Sequence, residues 1–113
     1  MNIALITEGV TDRPIIEAIL VSHFTDKLKD IYPTLNSLQP KKKDPGGWLK
    51  VLEYCNSQEF KDSFAFNDYI IIQIDSDKHE DKGFDVPKQK TAENLIKEIK
   101  NRIIKEISEE FFT

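Results

Sequence analysis

Cysteine is nearly absent from this sequence of 113 residues, in which Cys55 is the only one. A single cysteine cannot form an internal disulfide, which excludes the disulfide-stapled secreted domains. Long apolar runs are missing too, because stretches such as Tyr69–Ile72 fall far short of the roughly 20 residues that a membrane-spanning helix needs. The first residues have neither the positive charge nor the cleavage site of a signal peptide. We therefore expect a soluble, cytoplasmic protein.

An excess of positive charge is also lacking. The chain has 16 Lys and Arg against 20 Asp and Glu, which gives a net charge of −4 at pH 7. A broad positive face that coats nucleic acid is therefore not expected. The chain can still act on phosphates through a bound divalent cation, since the cation supplies positive charge locally. The length and the 39% of hydrophobic residues indicate one domain, residues 1–113, with one core.

Short apolar segments alternate with helical patterns along the chain. Residues 2–7 and 68–75 are predicted to be buried strands, because both are apolar, β-branched and bounded by polar residues. A weaker strand signal covers residues 34–38. Helices are predicted where apolar residues recur every three or four positions, at residues 11–24, 48–55 and 91–111, with Thr11 and Thr91 as caps. The alternation predicts an α/β fold with a mostly parallel sheet.

Two of the predicted helices have a clear apolar face. The last helix also has oppositely charged pairs on its solvent-exposed face. The first face comprises Ile15, Ile16, Ile19, Leu20 and Phe24. The last comprises Ala92, Leu95, Ile96, Ile99, Ile103, Ile104, Ile107 and Phe111, with Glu93–Lys97 and Glu98–Arg102 as ion pairs. In a βα pattern such a helix normally returns to a further strand. None follows, so we expect the sequence to be the front part of a longer protein.

Acidic residues follow both clear strands. Glu8 and Gly9 come at the end of the first strand, and Asp75 and Asp77 come at the end of the later one. Ligands of open parallel sheets bind outside the carboxyl ends of the strands, so these acids converge if the two strands are neighbours. Three close carboxylates need a cation, and hard oxygen ligands suit Mg²⁺ or Mn²⁺. The alternative is that these acids are solvated loop residues or helix caps.

The segments TEGVTDRPIIEAIL and IIIQIDSD resemble the Toprim fold, the catalytic domain of topoisomerases, bacterial primases and overcoming-lysogenisation-defect (OLD) family nucleases. That family carries Glu-Gly after its first strand and Asp-x-Asp after a later one. The form Glu-Gly-x-Thr-Asp is closer still to small Toprim-like proteins of bacterial genomes, many of which occur in phage-defence contexts. The resemblance covers nearly the whole chain in order. It implies a Rossmann-like, three-layer fold, here a truncated one.

The resemblance also implies roles for particular residues. Glu8 takes the place of the general acid/base or metal ligand, and Asp75 and Asp77 take the place of the metal-binding aspartates. Asp12 matches an acidic position of the extended motif and is expected to support the site. The implied activity is Mg²⁺- or Mn²⁺-dependent cleavage of nucleic acid. Topoisomerase activity is not implied, because its tyrosine nucleophile needs a separate domain.

Two polar segments have open interpretations. Lys41, Lys42 and Lys43 precede Gly46 and Gly47, so this loop either attracts and binds phosphate, with Trp48 stacked on a base, or is a solvated connection with Trp48 in the core. In the predicted polar loop 76–90, His79, Glu80 and Asp81 are either further metal ligands or solvated charges. Cys55 is expected in the core.

Two other classes of function compete with the nuclease. The acidic cluster suits a non-catalytic metal- or nucleotide-sensing module that works through a partner or a second copy, since an exposed apolar stripe on the last helix would be an interface. A receiver-like phosphoacceptor also gathers acids at strand ends. It fits less well, because it has paired acids after its first strand where this chain has a single Glu-Gly.

Overall fold

Strand β1 (Asn2–Ile6) is the centre of a parallel sheet. The computed structural model describes residues 1–9, 11–27, 33–41 and 46–107, and in these the sheet contains two further strands, β2 (Thr34–Gln39) and β3 (Tyr69–Ile72). The strand order is β2-β1-β3, with both neighbours parallel to β1. From Ile3 to Ile6 no side chain of β1 is more than 1% exposed. This burial on both faces explains why the strand is continuously apolar.

Among the described residues, three helices lie between these strands in the chain and a fourth follows β3. They are α1 (Asp12–Lys27), α2 (Trp48–Cys55), α3 (Gln58–Ser63) and α4 (Ala92–Glu106). The order of elements confirms the predicted α/β class with a parallel sheet, and the layout is compatible with a Rossmann-like fold. Phe111 lies outside the described residues. Within the described part of the chain, no helix is both long and apolar enough to cross a membrane.

The predicted end of the strand β3 was wrong. β3 ends at Ile72 rather than at Asp75, and its last backbone link to β1 runs from Gln73 N–H to the carbonyl of Ile6 at 2.8 Å. Helix α3 was not predicted. Its signal is local, because the Ser57 side chain accepts the Phe60 N–H as an N-cap and Phe60 itself is buried.

The predicted apolar face of α1 is split in the structure. Ile16 and Leu20 are partly buried, whereas Ile15 and Ile19 are 64% and 63% exposed. Neighbouring positions on a helix differ by about 100° in direction, so one stripe faces inward while the adjacent stripe faces solvent.

The main core cluster lies between the sheet and helices α2, α3 and α4. Ile6, Cys55 and Phe60 belong to it, and each is at most 1% exposed. Burial, followed by the charge of Glu106, raises the pKa of the Cys55 thiol to about 12. Cys55 is therefore a protonated core residue at neutral pH, as predicted.

The segment 76–90 is packed rather than merely solvated. Phe84 is fully buried, and its ring centroid lies 5.4 Å from that of Trp48. The ring of His79 bonds the carbonyl of Val86 through Nδ1 at 2.7 Å. Trp48 thus packs against this segment, and His79 holds it together.

Helix α4 begins as predicted, because Thr91 Oγ1 accepts the N–H of Asn94 at 3.2 Å. The predicted pairing of Arg102 with Glu98 was wrong. Arg102 instead contacts Glu106 at 2.6 Å through Nη1, and it donates to the backbone carbonyls of the packed segment 76–90. The guanidinium is thereby held by Glu106 and by the carbonyls of Gly83 and Phe84.

Candidate acidic site at the carboxyl edge of the sheet

Glu8 and Asp75 meet where neighbouring parallel strands end. Glu8 follows β1, Asp75 follows β3, and the two strands pair directly. The backbone N–H of Asp75 donates to Glu8 Oε2 at 2.6 Å. The structure therefore brings together two of the three acids that the sequence identified, because adjacent parallel strands deliver their carboxyl ends to one edge.

Gln73 joins the same two residues and was not identified from the sequence. Its Oε1 accepts the N–H of Glu8, and its Nε2 donates to Asp75 Oδ1, both at 3.1 Å. One carboxamide thus holds the backbone of one acid and the side chain of the other. The signal in the sequence is that Gln73 interrupts an apolar run between Ile72 and Ile74.

The pKa of Glu8 is raised above its ordinary value of 4.5. Partial burial is the largest cause, and the negative charges of Asp75, Asp77 and Asp12 add to it. The hydrogen bond from the Asp75 backbone opposes this rise because it favours the ionised form. Asp77 is exposed and acts on Glu8 through its charge.

Asp12 shapes the turn that carries Glu8. Its Oδ2 accepts the N–H of Gly9 at 3.2 Å, and the N–H of Asp12 donates to the Gly9 carbonyl at the same distance. These two bonds close the turn at the start of α1. Asp12 thus fixes the turn directly after Glu8, and its supporting role in a metal site stays a prediction.

The two loop glycines pack against the backbone of Glu8. Gly47 donates its N–H to the Glu8 carbonyl at 2.8 Å, so this N–H is already in use and does not face a phosphate. A Cβ on Gly46 would lie 2.3 Å from the same carbonyl oxygen, and Gly46 has a φ of +78°. Only glycine fits there without displacing the Glu8 backbone.

Lys41 is directed toward α3, where its Nζ pairs with Glu59 at 2.5 Å. Lys42 and Lys43 lie outside the described residues. The predicted phosphate-binding loop therefore stays a prediction.

No three His, Cys, Asp or Glu side chains in the described ranges are arranged to hold a metal ion. His79 and Glu80 lie 3.9 Å apart in a weak pair, while His79 Nδ1 bonds Val86. Glu8, Asp75 and Asp77 are near enough for their charges to interact, without forming a closed set of ligands. Their hard oxygen donors match the ligands that Mg²⁺ and Mn²⁺ prefer.

Comparison with protein-family models, with curated proteins and with solved structures found no match.

Proposed function

We propose that this protein is a Mg²⁺- or Mn²⁺-dependent phosphodiesterase of Toprim type that acts on nucleic acid, as a nuclease. One observation carries the proposal: Glu8 and Asp75, from two separate sequence motifs, are in direct contact at the carboxyl edge of the sheet. The Toprim resemblance of the two motifs supplies the chemistry, and the edge is where open parallel sheets bind ligands.

The electrostatics of the site favour a cation. Partial burial raises the pKa of Glu8, and the negative charges of Asp75, Asp77 and Asp12 add to this, so the ionised Glu8 is held at a cost. A divalent cation would offset that repulsion. Asp75 and Asp77 are exposed, so their side chains have room to turn toward an ion beside Glu8.

The proposed roles follow from the surroundings of each acid. Glu8 has the raised pKa that suits a group moving a proton at its carboxylate, while Asp75 and Asp77 would hold the cation. The cation, when bound, stabilises negative charge on phosphate oxygens. Gln73 and Asp12 fix the backbone on either side of Glu8.

The first test is Mn²⁺ binding by calorimetry to the wild type, Glu8→Gln and Asp75→Asn. We expect binding in the wild type and a loss of at least roughly tenfold in affinity in both variants, because each removes a charged ligand. Glu98→Gln is the matched control, since Glu98 is an exposed acid on α4. Circular dichroism verifies that each variant is folded.

Cleavage is measured next on labelled single- and double-stranded DNA and RNA, with Mg²⁺, Mn²⁺ or EDTA. We expect metal-dependent cleavage by the wild type and by Glu98→Gln, and none by the two site variants. Folded Glu8→Gln or Asp75→Asn protein that still cleaves at the wild-type rate would contradict the proposal.

The exposed apolar surface favours a second candidate, a non-catalytic interaction module with a metal- or nucleotide-sensing site. Ile96 on α4 is 67% exposed, and it borders an apolar groove of about 510 Å³ between α4 and the end of β3. Ile15 and Ile19 form a further exposed pair on α1. Exposed apolar patches of this kind mark interaction sites.

A further inference from the structure

A second groove, of about 380 Å³, lies between β2, α2 and α3. It shares no lining residue with the acidic site. Leu38 and Tyr54 line its inner part, while Asp62 and Phe66 line it from the side of α3. Its volume is enough for a flat ring system with a small substituent.

The Tyr54 hydroxyl is the unusual group in this groove. Tyr54 is 6% exposed, and its Oη is buried with no hydrogen-bond partner among the described residues. Burial, followed by the charge of Glu59, raises the pKa of Tyr54 to about 12, so the hydroxyl keeps its proton at neutral pH. A buried donor without an acceptor destabilises a protein and is rare in native structures.

The other groups of the groove are complementary to an amine and a flat ring. Glu59 and Asp62 contribute carboxylates to the groove. Glu59 also pairs with Lys41, and Asp62 accepts a hydrogen bond from Gln58 at 2.9 Å. Phe66 is 74% exposed, so its ring face is available for stacking. Two carboxylates at the groove disfavour a phosphate group there.

The polar side of the groove is held in place before any ligand arrives. Asn36 Nδ2 donates to Asn67 Oδ1 at 2.9 Å, and Asn67 Nδ2 donates to the Ser63 carbonyl at 2.9 Å. These bonds fix both carboxamides and join β2 to the end of α3. The two carboxamides therefore lose little conformational entropy when a ligand binds.

We propose that this groove binds a planar heterocycle with a ring-nitrogen acceptor next to an exocyclic amine, the pattern that adenine and cytosine carry. The ring nitrogen accepts the Tyr54 hydroxyl, the amine donates to a carboxylate of α3, and the ring stacks on Phe66. The buried Tyr54 hydroxyl and the exposed ring of Phe66 thus each gain a partner.

The test is a titration of the ¹⁵N-labelled protein with adenosine and, separately, with inosine, without added metal. Inosine has the same size but presents N–H and carbonyl where adenosine presents the ring nitrogen and the amine. We expect adenosine to shift the side-chain amide signals of Asn36 and Asn67 and inosine to bind at least roughly fivefold more weakly. Equal binding of the two nucleosides, or no shift at millimolar adenosine, overturns the proposal.

Tyr54→Phe supplies a second readout. We expect it to weaken adenosine binding roughly fivefold and to raise the melting temperature of the free protein, because it removes an unpaired buried hydroxyl. Tyr69→Phe is the control, since Tyr69 is 60% exposed on β3 and far less buried. Unchanged affinity in Tyr54→Phe, or a lower melting temperature, overturns the proposal.

This inference does not rest on the acidic site. We expect Glu8→Gln to keep its affinity for adenosine, so a failure of the metal chemistry and a failure of the nucleoside groove are seen in separate experiments.

Discussion

Glu8 combines a partly buried carboxylate with three nearby acids, and this combination raises its pKa above 4.5. A carboxyl group whose pKa is higher in the folded than in the unfolded chain binds protons more tightly in the folded chain. The ionised Glu8 therefore destabilises the fold at neutral pH. As the pH falls through the raised pKa, that penalty disappears.

We predict that Glu8→Gln raises the melting temperature at pH 7 in the absence of divalent cations. The gain should shrink as the pH falls and vanish below about 4.5, where Glu8 is protonated in both states. Thermal melts from pH 4 to pH 8 measure it. A variant that is less stable than the wild type at pH 7 would show that the hydrogen bond from Asp75 outweighs burial and repulsion.

The sequence identified the acids and, through the resemblance, Asp12 as their support, but it did not identify Gln73. Glu8 and Asp75 were recognisable because each follows a clear strand and carries charge. Gln73 and Tyr54 were not, because their roles depend on residues distant in sequence. Gln73 bonds Glu8, which follows β1, and the buried Tyr54 hydroxyl has no hydrogen-bond partner among the described residues. Such relations arise only from tertiary packing.

At the scale of elements, the largest difference from the sequence prediction is in the segment 76–90, which was expected to form a polar loop. Its composition is polar, yet Phe84 and Val86 are buried in a second core cluster with Ile99. Two apolar side chains among many polar ones give no periodic signal. By contrast α4 and β1 were predictable, because the apolar residues of α4 follow the helix repeat and β1 is a short continuous apolar run.

We predict that Phe84→Ala lowers the free energy of unfolding by about 3–5 kcal/mol, the usual cost of removing a large buried aromatic ring. Denaturant titration measures the loss. Trp48, the only tryptophan, contacts Phe84 and should change its fluorescence in the folded variant. The control is Lys82→Ala, an exposed position in the same segment; a similar loss there would contradict the assignment to burial.

At the scale of the whole molecule, the two candidate functions differ in their need for a partner surface. A nuclease with a complete site on one chain can act as a monomer, whereas the interaction module uses the apolar groove beside α4. We predict that Ile96→Lys reduces any association that grows with protein concentration. The lysine is solvated at this exposed position in the free chain, and it would lose water if a partner covered the groove. Sedimentation measures it.

Asn101→Lys is the matched control, as it adds the same charge at another exposed position of α4. Association that is equally sensitive to both variants would point to net charge rather than to the groove. A monomer at all concentrations would favour the nuclease.

The class of the fold was predictable as a whole, but the strand order was not. Alternating strands and helices indicate a parallel sheet, whereas nothing local places β1 between its two neighbours. The acidic site depended on that order, since Glu8 and Asp75 meet only because β1 and β3 are adjacent. The continuously apolar sequence of β1 indicated burial on both faces, but it did not say which strands flank it.

The carboxamide of Gln73 links the residues that follow β1 and β3. A planar amide has a fixed span between its oxygen and its nitrogen, and here one end bonds Glu8 while the other bonds Asp75. These two bonds add a side-chain link to the backbone pairing of β1 and β3, which sets the spacing of the two strands. Apolar substitutions in the core that leave this pairing intact should therefore leave the gap between Glu8 and Asp75 unchanged.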